Sequence, residues 1–247
     1  MPGPGSRGAW RRRGIAAALV LTAAAAGCSD DVVCPIDTAP DQTPFVSARV
    51  VEAALARGDT TWVQVYATAD SLPTLLFVSI NDRQIDSVTV DEDFGLVVSL
   101  EEDVIVWQPG TRCSLKVTTN YGFATSSEVI PSGFAVAAPG TVLLGEPLVL
   151  RWSPADDADY YRIRWLLEGG GEGSEIAATV RDTSVTVEPE DIASAGTIRG
   201  HVEAVAGPFP QTGTEGNIGG AGWGFFTTAY RDPASAFEVT VADTGLR

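Results

Sequence analysis

Leu148-Val149-Leu150-Arg151-Trp152-Ser153-Pro154, followed after a short acidic turn by Tyr161-Arg162-Ile163-Arg164-Trp165, decides how this chain folds. Both runs alternate, which puts one set of side chains on one face of an extended strand and the other set on the opposite face. The indole of Trp152 is large enough to fill the space between two sheets stacked about 10 Å apart, and an alternating neighbour strand closes over it. The pair reads as two strands of a sandwich.

Working outward, short runs rich in Val, Thr, Ile and aromatics recur at 45–54, 62–66, 75–80, 88–90, 95–100, 123–130, 184–187, 197–206 and 237–241, separated by turn residues. No 3.6-residue period is sustained, a brief stretch at 51–57 aside, so the fold class is all-β. Asn81-Asp82-Arg83 makes a hairpin turn between Ile80 and Ile85. Within 197–206, alternation puts Ile198, Gly200, Val202 and Ala204 on one face and leaves Arg199, His201 and Glu203 on the other.

The Trp152 run and the Tyr161-Arg162-Ile163-Arg164-Trp165 run closely resemble the strand B tryptophan and the strand C Tyr-x-Val-x-Tyr pattern of fibronectin type III domains. Residues 184–187, 197–206 and 237–241 then fit strands E, F and G. In the first half, Trp107-Gln108-Pro109-Gly110-Thr111-Arg112-Cys113 resembles the Leu-x-Pro-Gly-Thr-x-Tyr corner that leads into strand F of the same family. Trp107 stands in the leucine place and Cys113 in the tyrosine place; in the second half Ile198 occupies the tyrosine position. The resemblance implies two tandem fibronectin type III-like, or immunoglobulin-like, β-sandwiches at 45–131 and 132–243, the second with a long loop at 207–234, and a tail at 244–247.

The N-terminus reads differently. Arg11, Arg12 and Arg13 precede an uncharged apolar run at 14–26, whose 13 residues fall well short of the ~20 that a membrane-spanning helix needs, so the order is that of an export signal. Ala25-Ala26-Gly27-Cys28 resembles the lipobox of bacterial lipoproteins. That resemblance implies removal of a signal peptide at 1–27, lipid on Cys28 and localisation at the cell envelope, the outer membrane or the cell surface, with the membrane as partner. Several acyl chains on one residue hold firmly where a single chain does not. Ordinary secretory cleavage within 23–26, leaving Cys28 as a thiol, is the alternative. Residues 28–44 are rich in Asp, Pro, Thr and Gln and form a lipidated tether.

Cleavage would leave 12 basic against 32 acidic side chains, a net charge of −20 on 220 residues. Such a polyanion is repelled by phosphate backbones, which excludes nucleic acid as a partner. With Cys28 assigned to lipid, Cys34 and Cys113 remain in an oxidising compartment, either as a disulfide or as two free or intermolecular thiols.

The long 207–234 segment holds many glycines together with Phe209, Trp223, Phe225, Phe226 and Tyr230. Two readings stand: a ligand-binding surface at the end of a sandwich carried by Trp223, Phe225, Phe226 and Tyr230, or an extended hairpin whose aromatics pack on one of the two halves. His201, the one histidine, sits mid-strand with no nucleophile motif nearby and reads as surface, and no spacing of ligands for zinc exists. Acidic clusters at 91–93, 101–103 and 156–159 lack the glycine-containing order of a calcium loop and read as solvated turns. The sequence therefore leads to a non-catalytic binding or spacer module without cofactor or metal, its partner a protein or an envelope polysaccharide. The competing reading is a protein that binds or processes glycans through 207–234.

Overall fold

The computed structural model describes residues 45–55, 58–68, 77–85, 88–91, 95–102, 107–168 and 175–243. The signal peptide and tether, Cys28, Cys34 and the tail at 244–247 lie outside these. No helix among the described residues is long and apolar enough to cross a membrane.

The first half supplies β1 Phe45–Leu55, β2 Gly58–Thr68, β3 Phe77–Ile80, β4 Arg83–Ile85, β5 Val88–Asp91, β6 Gly95–Glu102, β7 Arg112–Thr119 and β8 Gly122–Val129. They sort into two sheets, ordered β1-β2-β6-β5 and β8-β7-β3-β4. This is the division of an immunoglobulin-type sandwich, strands A, B, E and D on one side and G, F, C and C′ on the other. Alternation does the sorting. In β7, Cys113, Leu115, Val117 and Thr119 are buried while Arg112, Ser114 and Lys116 face out. The expected turn is present: Asn81 and Asp82 both take positive φ, 50° and 62°, as a two-residue hairpin that follows strand twist demands. The turn is docked as well, since Asn81 Oδ1 accepts from the Ser114 amide at 2.8 Å.

The second half adds β9 Val136–Ala137, β10 Thr141–Leu143, β11 Leu148–Trp152, β12 Tyr160–Glu168, β13 Glu175–Val180, β14 Ser184–Val187, β15 Gly196–Ala206, β16 Gly219–Gly220, β17 Trp223–Arg231 and β18 Ala236–Ala242. A small sheet, β14-β11-β9, accompanies a larger one in which β15 pairs β12 on one edge and β18 on the other, with β13 beyond β12 and β10 beyond β18. Trp152 is buried, and the Tyr161 ring meets it edge-on at 5.3 Å. The Tyr161 hydroxyl accepts from the Ala155 amide at 2.9 Å, so its polar end is satisfied inside the core. Ile198 and Cys113, in the two altered corner positions, are both buried.

The 207–234 segment, expected as a long loop, carries two strands. Of these, β17 runs antiparallel to β15 at Ala204–Ala206 and parallel to β1 from Phe45↔Trp223 to Ala53↔Arg231. β16 pairs β8 through Gly219↔Thr125 and Gly220↔Ala124. The segment thus leaves the second half, adds one strand to each sheet of the first, and returns through β18. The larger sheet of the second half and the β1-β2-β6-β5 sheet of the first become one ten-stranded sheet. Gly224 makes the approach possible. At φ +132° it lies so close to β1 that a Cβ there would stand 2.0 Å from the Val46 carbonyl oxygen. Buried side chains of both halves join in one cluster that includes Val46, Leu115, Trp152, Ile163, Val202 and Phe226.

Candidate functional site

The four aromatic residues expected to meet a ligand lie in the seam between the halves. Phe226 and Tyr230 face the common core. Trp223 and Phe225 face the other side of β17, where Phe45 meets them edge-on at 4.7 and 6.1 Å. Phe209 lies across the same side, its ring 5.4 Å from that of Tyr160 and 4.5 Å below the Arg181 guanidinium. These rings pack against protein.

A single asparagine just ahead of β16 bridges β8 and β17. Asn217 Nδ2 donates to Glu128 Oε1 at 2.6 Å and to the Phe226 carbonyl at 2.8 Å, while its Oδ1 accepts from the Phe226 amide at 2.8 Å. Ser126 Oγ donates to the Asn217 carbonyl at 2.8 Å, and Thr228 Oγ1 donates to the Val129 carbonyl at 2.7 Å. The segment is therefore tied to β8 by side chains as well as by the ladder. Burial pushes the Glu128 carboxyl above its ordinary range, partly offset by the hydrogen bond from Asn217.

One strand further, the β15 face that His201 and Glu203 share, read as surface at His201, is covered at Glu203. Glu203 on β15 is buried, its side chain 2% exposed, and receives Arg49 Nη2 from β1 at 2.5 Å and the Arg231 guanidinium from β17, whose Nε lies at 3.1 Å. His201 Nε2 is 3.8 Å away. Burial works against the charge on Glu203, but Arg49 and Arg231, with a smaller contribution from His201, outweigh it and hold the carboxyl well below the usual carboxylate range. A carboxylate engaged by two guanidiniums on both oxygens is no proton acceptor; it is a rivet joining three strands that belong to different halves.

The other predicted positions are accounted for more briefly. Asp159 Oδ2 accepts from the Gly207 amide at 2.7 Å, which assigns one residue of the 156–159 cluster to closing the exit of β15. Among the described residues no group of three or more His, Cys, Asp or Glu is placed to hold a metal ion. Cys113 carries a buried thiol, free in this structure, which desolvation pushes up to about 12; Cys34, its expected partner, lies outside the described residues.

What remains open is a face that the sequence did not single out. On the outer side of β4-β3-β7-β8, Phe77, Thr118 and Phe123 stand in one cross-strand row. Phe77 is 45% and Phe123 56% exposed, the highest values for large apolar side chains among the described residues. Lys116, the only lysine of the chain, occupies the next row with its Nζ 5.5 Å from the Phe123 ring centroid. The signal was present in the period-two pattern of β7, whose outward set is Arg112, Ser114, Lys116 and Thr118.

A scan against protein-family models gives no match, and a search of curated proteins gives none. Among solved structures, the chain is similar to the FN1–FN3 domains of chicken CNTN1 at 12% identity and a TM-score of 0.25, over 82% of this chain and 65% of that one. It is also similar to the human OSCAR ligand-binding domain at 12% identity and a TM-score of 0.24, over 78% of this chain and 96% of that one. The assignment of the fold rests on the strand order and register described above.

Proposed function

We propose that this protein is a lipid-anchored extracytoplasmic module that binds and spaces at the cell envelope and performs no catalysis. The observation that supports the reading most directly is the exchange of strands at the seam. A segment of one half completes both sheets of the other and is fastened by Asn217 and by the Glu203 rivet, which makes the described residues a stiff body suited to hold a surface at a distance. The Arg-led apolar segment ending in Cys28 supports the anchor, and the acidic composition supports a protein kept near the membrane by that anchor alone. Glycan handling through 207–234 loses its support, because the rings it invoked lie in the seam; a glycan contact needs another surface. The test of the anchor is metabolic labelling with palmitate. Wild-type protein is expected to take up label and to enter the detergent phase, and the Cys28→Ala variant to do neither; unlabelled wild-type protein would overturn the anchor. Alkylation of the unfolded, unreduced protein decides the Cys34–Cys113 pairing, since a bonded pair takes up no reagent.

A further inference from the structure

We propose that the outer face of β4-β3-β7-β8 binds an acidic polysaccharide, a chain of sugar rings that carry carboxylates. The inference rests on reading the chain as a binding module, though not on its anchor. Three observations carry it.

The first is the spacing of rings. Phe77 and Phe123 flank Thr118 in one row, two strands apart and hence about 10 Å from each other across the sheet. Each stands singly among hydroxyl-bearing side chains. Rings so separated do not form the continuous dry patch at the centre of a protein interface. They do suit the apolar face of a sugar ring, whose hydroxyl groups then meet serine and threonine on either side.

The second is charge. Lys116 is held beside Phe123, and Arg112 projects from the same side of the same strand, its Nη1 3.4 Å from Ser127 Oγ. None of the described outward positions on these four strands carries an acid, in a chain with 32 acidic residues. Two cations on a face whose described outward positions carry no acid complement a carboxylate, where the rest of this acidic chain repels one. The dense phosphates of a nucleic acid meet the repulsion of the whole molecule, whereas one carboxylate per sugar or per pair of sugars meets mainly the face.

The third is the edge. β16 already pairs β8 on that border and the other border is the three-residue β4, so the long surface these strands offer a partner is the face.

The experiment is electrophoresis of the mature, detergent-purified protein in native gels containing alginate, a polyuronate, or dextran, a neutral glycan. Alginate is expected to retard the wild type and dextran not to, and Phe123→Ala and Lys116→Glu are each expected to weaken the alginate effect about fivefold or more while the melting temperature stays unchanged. No retardation by alginate, or equal retardation by dextran, overturns the ligand class. Alginate retardation untouched in both variants overturns this face and leaves the binding-module reading standing. Loss of an acidic protein partner from Phe123→Ala with no alginate effect makes the face a protein interface and overturns the polysaccharide. Retardation by alginate together with failure of palmitate labelling retains this inference and removes only the anchor.

Discussion

Two groups of aromatic residues in this molecule have opposite fates. Trp223, Phe225, Phe226 and Tyr230 come from a glycine-rich stretch that has the composition of a binding loop, and they are built into a seam. Phe77 and Phe123 come from two ordinary strands and stand half exposed on an open sheet. Composition says that rings are present; pairing partners decide which rings meet solvent. β17 has β1 on one edge and β15 on the other, with protein on both faces, whereas the outer side of β7 and β8 is covered by nothing among the described residues.

The contrast can be broken most severely at Phe226. Phe226→Ala removes a fully buried ring at the junction of both halves and is expected to cost about 3–5 kcal/mol in urea unfolding; a loss under about 1 kcal/mol would return the segment to a loop. Glu203→Gln removes the carboxylate charge that Arg49 and Arg231 share, at an expected cost of about 2–3 kcal/mol once the partial exposure of the arginines is allowed for. The same residue gives a pH signature. Its folded carboxyl is held below the unfolded value of 4.5, so its contribution is complete above that value and is lost as pH falls towards the lower folded one. The wild type is therefore expected to lose stability between about pH 5 and 3 more steeply than Glu203→Gln; parallel curves would mean that the rivet is not formed. Asn217→Ala strands the Phe226 amide and carbonyl and is expected to cost about 1–3 kcal/mol, with faster amide exchange at Phe226 as the local readout. Phe123→Ala, at the other end of the comparison, is expected to shift stability by less than about 0.5 kcal/mol.

Much of the architecture was legible in the chain. Period-two alternation located Trp152, Tyr161, Ile163 and Ile198 in the core, and the Asn81-Asp82 pair marked a turn whose positive φ values those residue types tolerate. The seam was not legible, for a physical reason. A strand buried on both faces shows no alternation, and every position of β17 from Gly224 to Tyr230 is buried, so the run of rings and threonines gave no period to read. Its other partner, β1, lies at the far end of the chain, and no local pattern reports a pairing of that range. Glu203 shows the same division: alternation assigned it correctly to the face opposite Ile198, but Arg49, which buries it, sits 154 residues away. The open face was legible in part, since the outward set of β7 is plain in the sequence, while the alignment of Phe77 with Phe123 needed the register.

The pairing of β1 with β17 also fixes an order of events. The ribosome delivers β1 about 180 residues before its partner, so the first half must wait, with the borders of two sheets bare, until almost the whole chain has been made. A nonsense codon near residue 131 would therefore release no self-sufficient N-terminal fragment, but one with two adhesive strand borders ready to join the next copy.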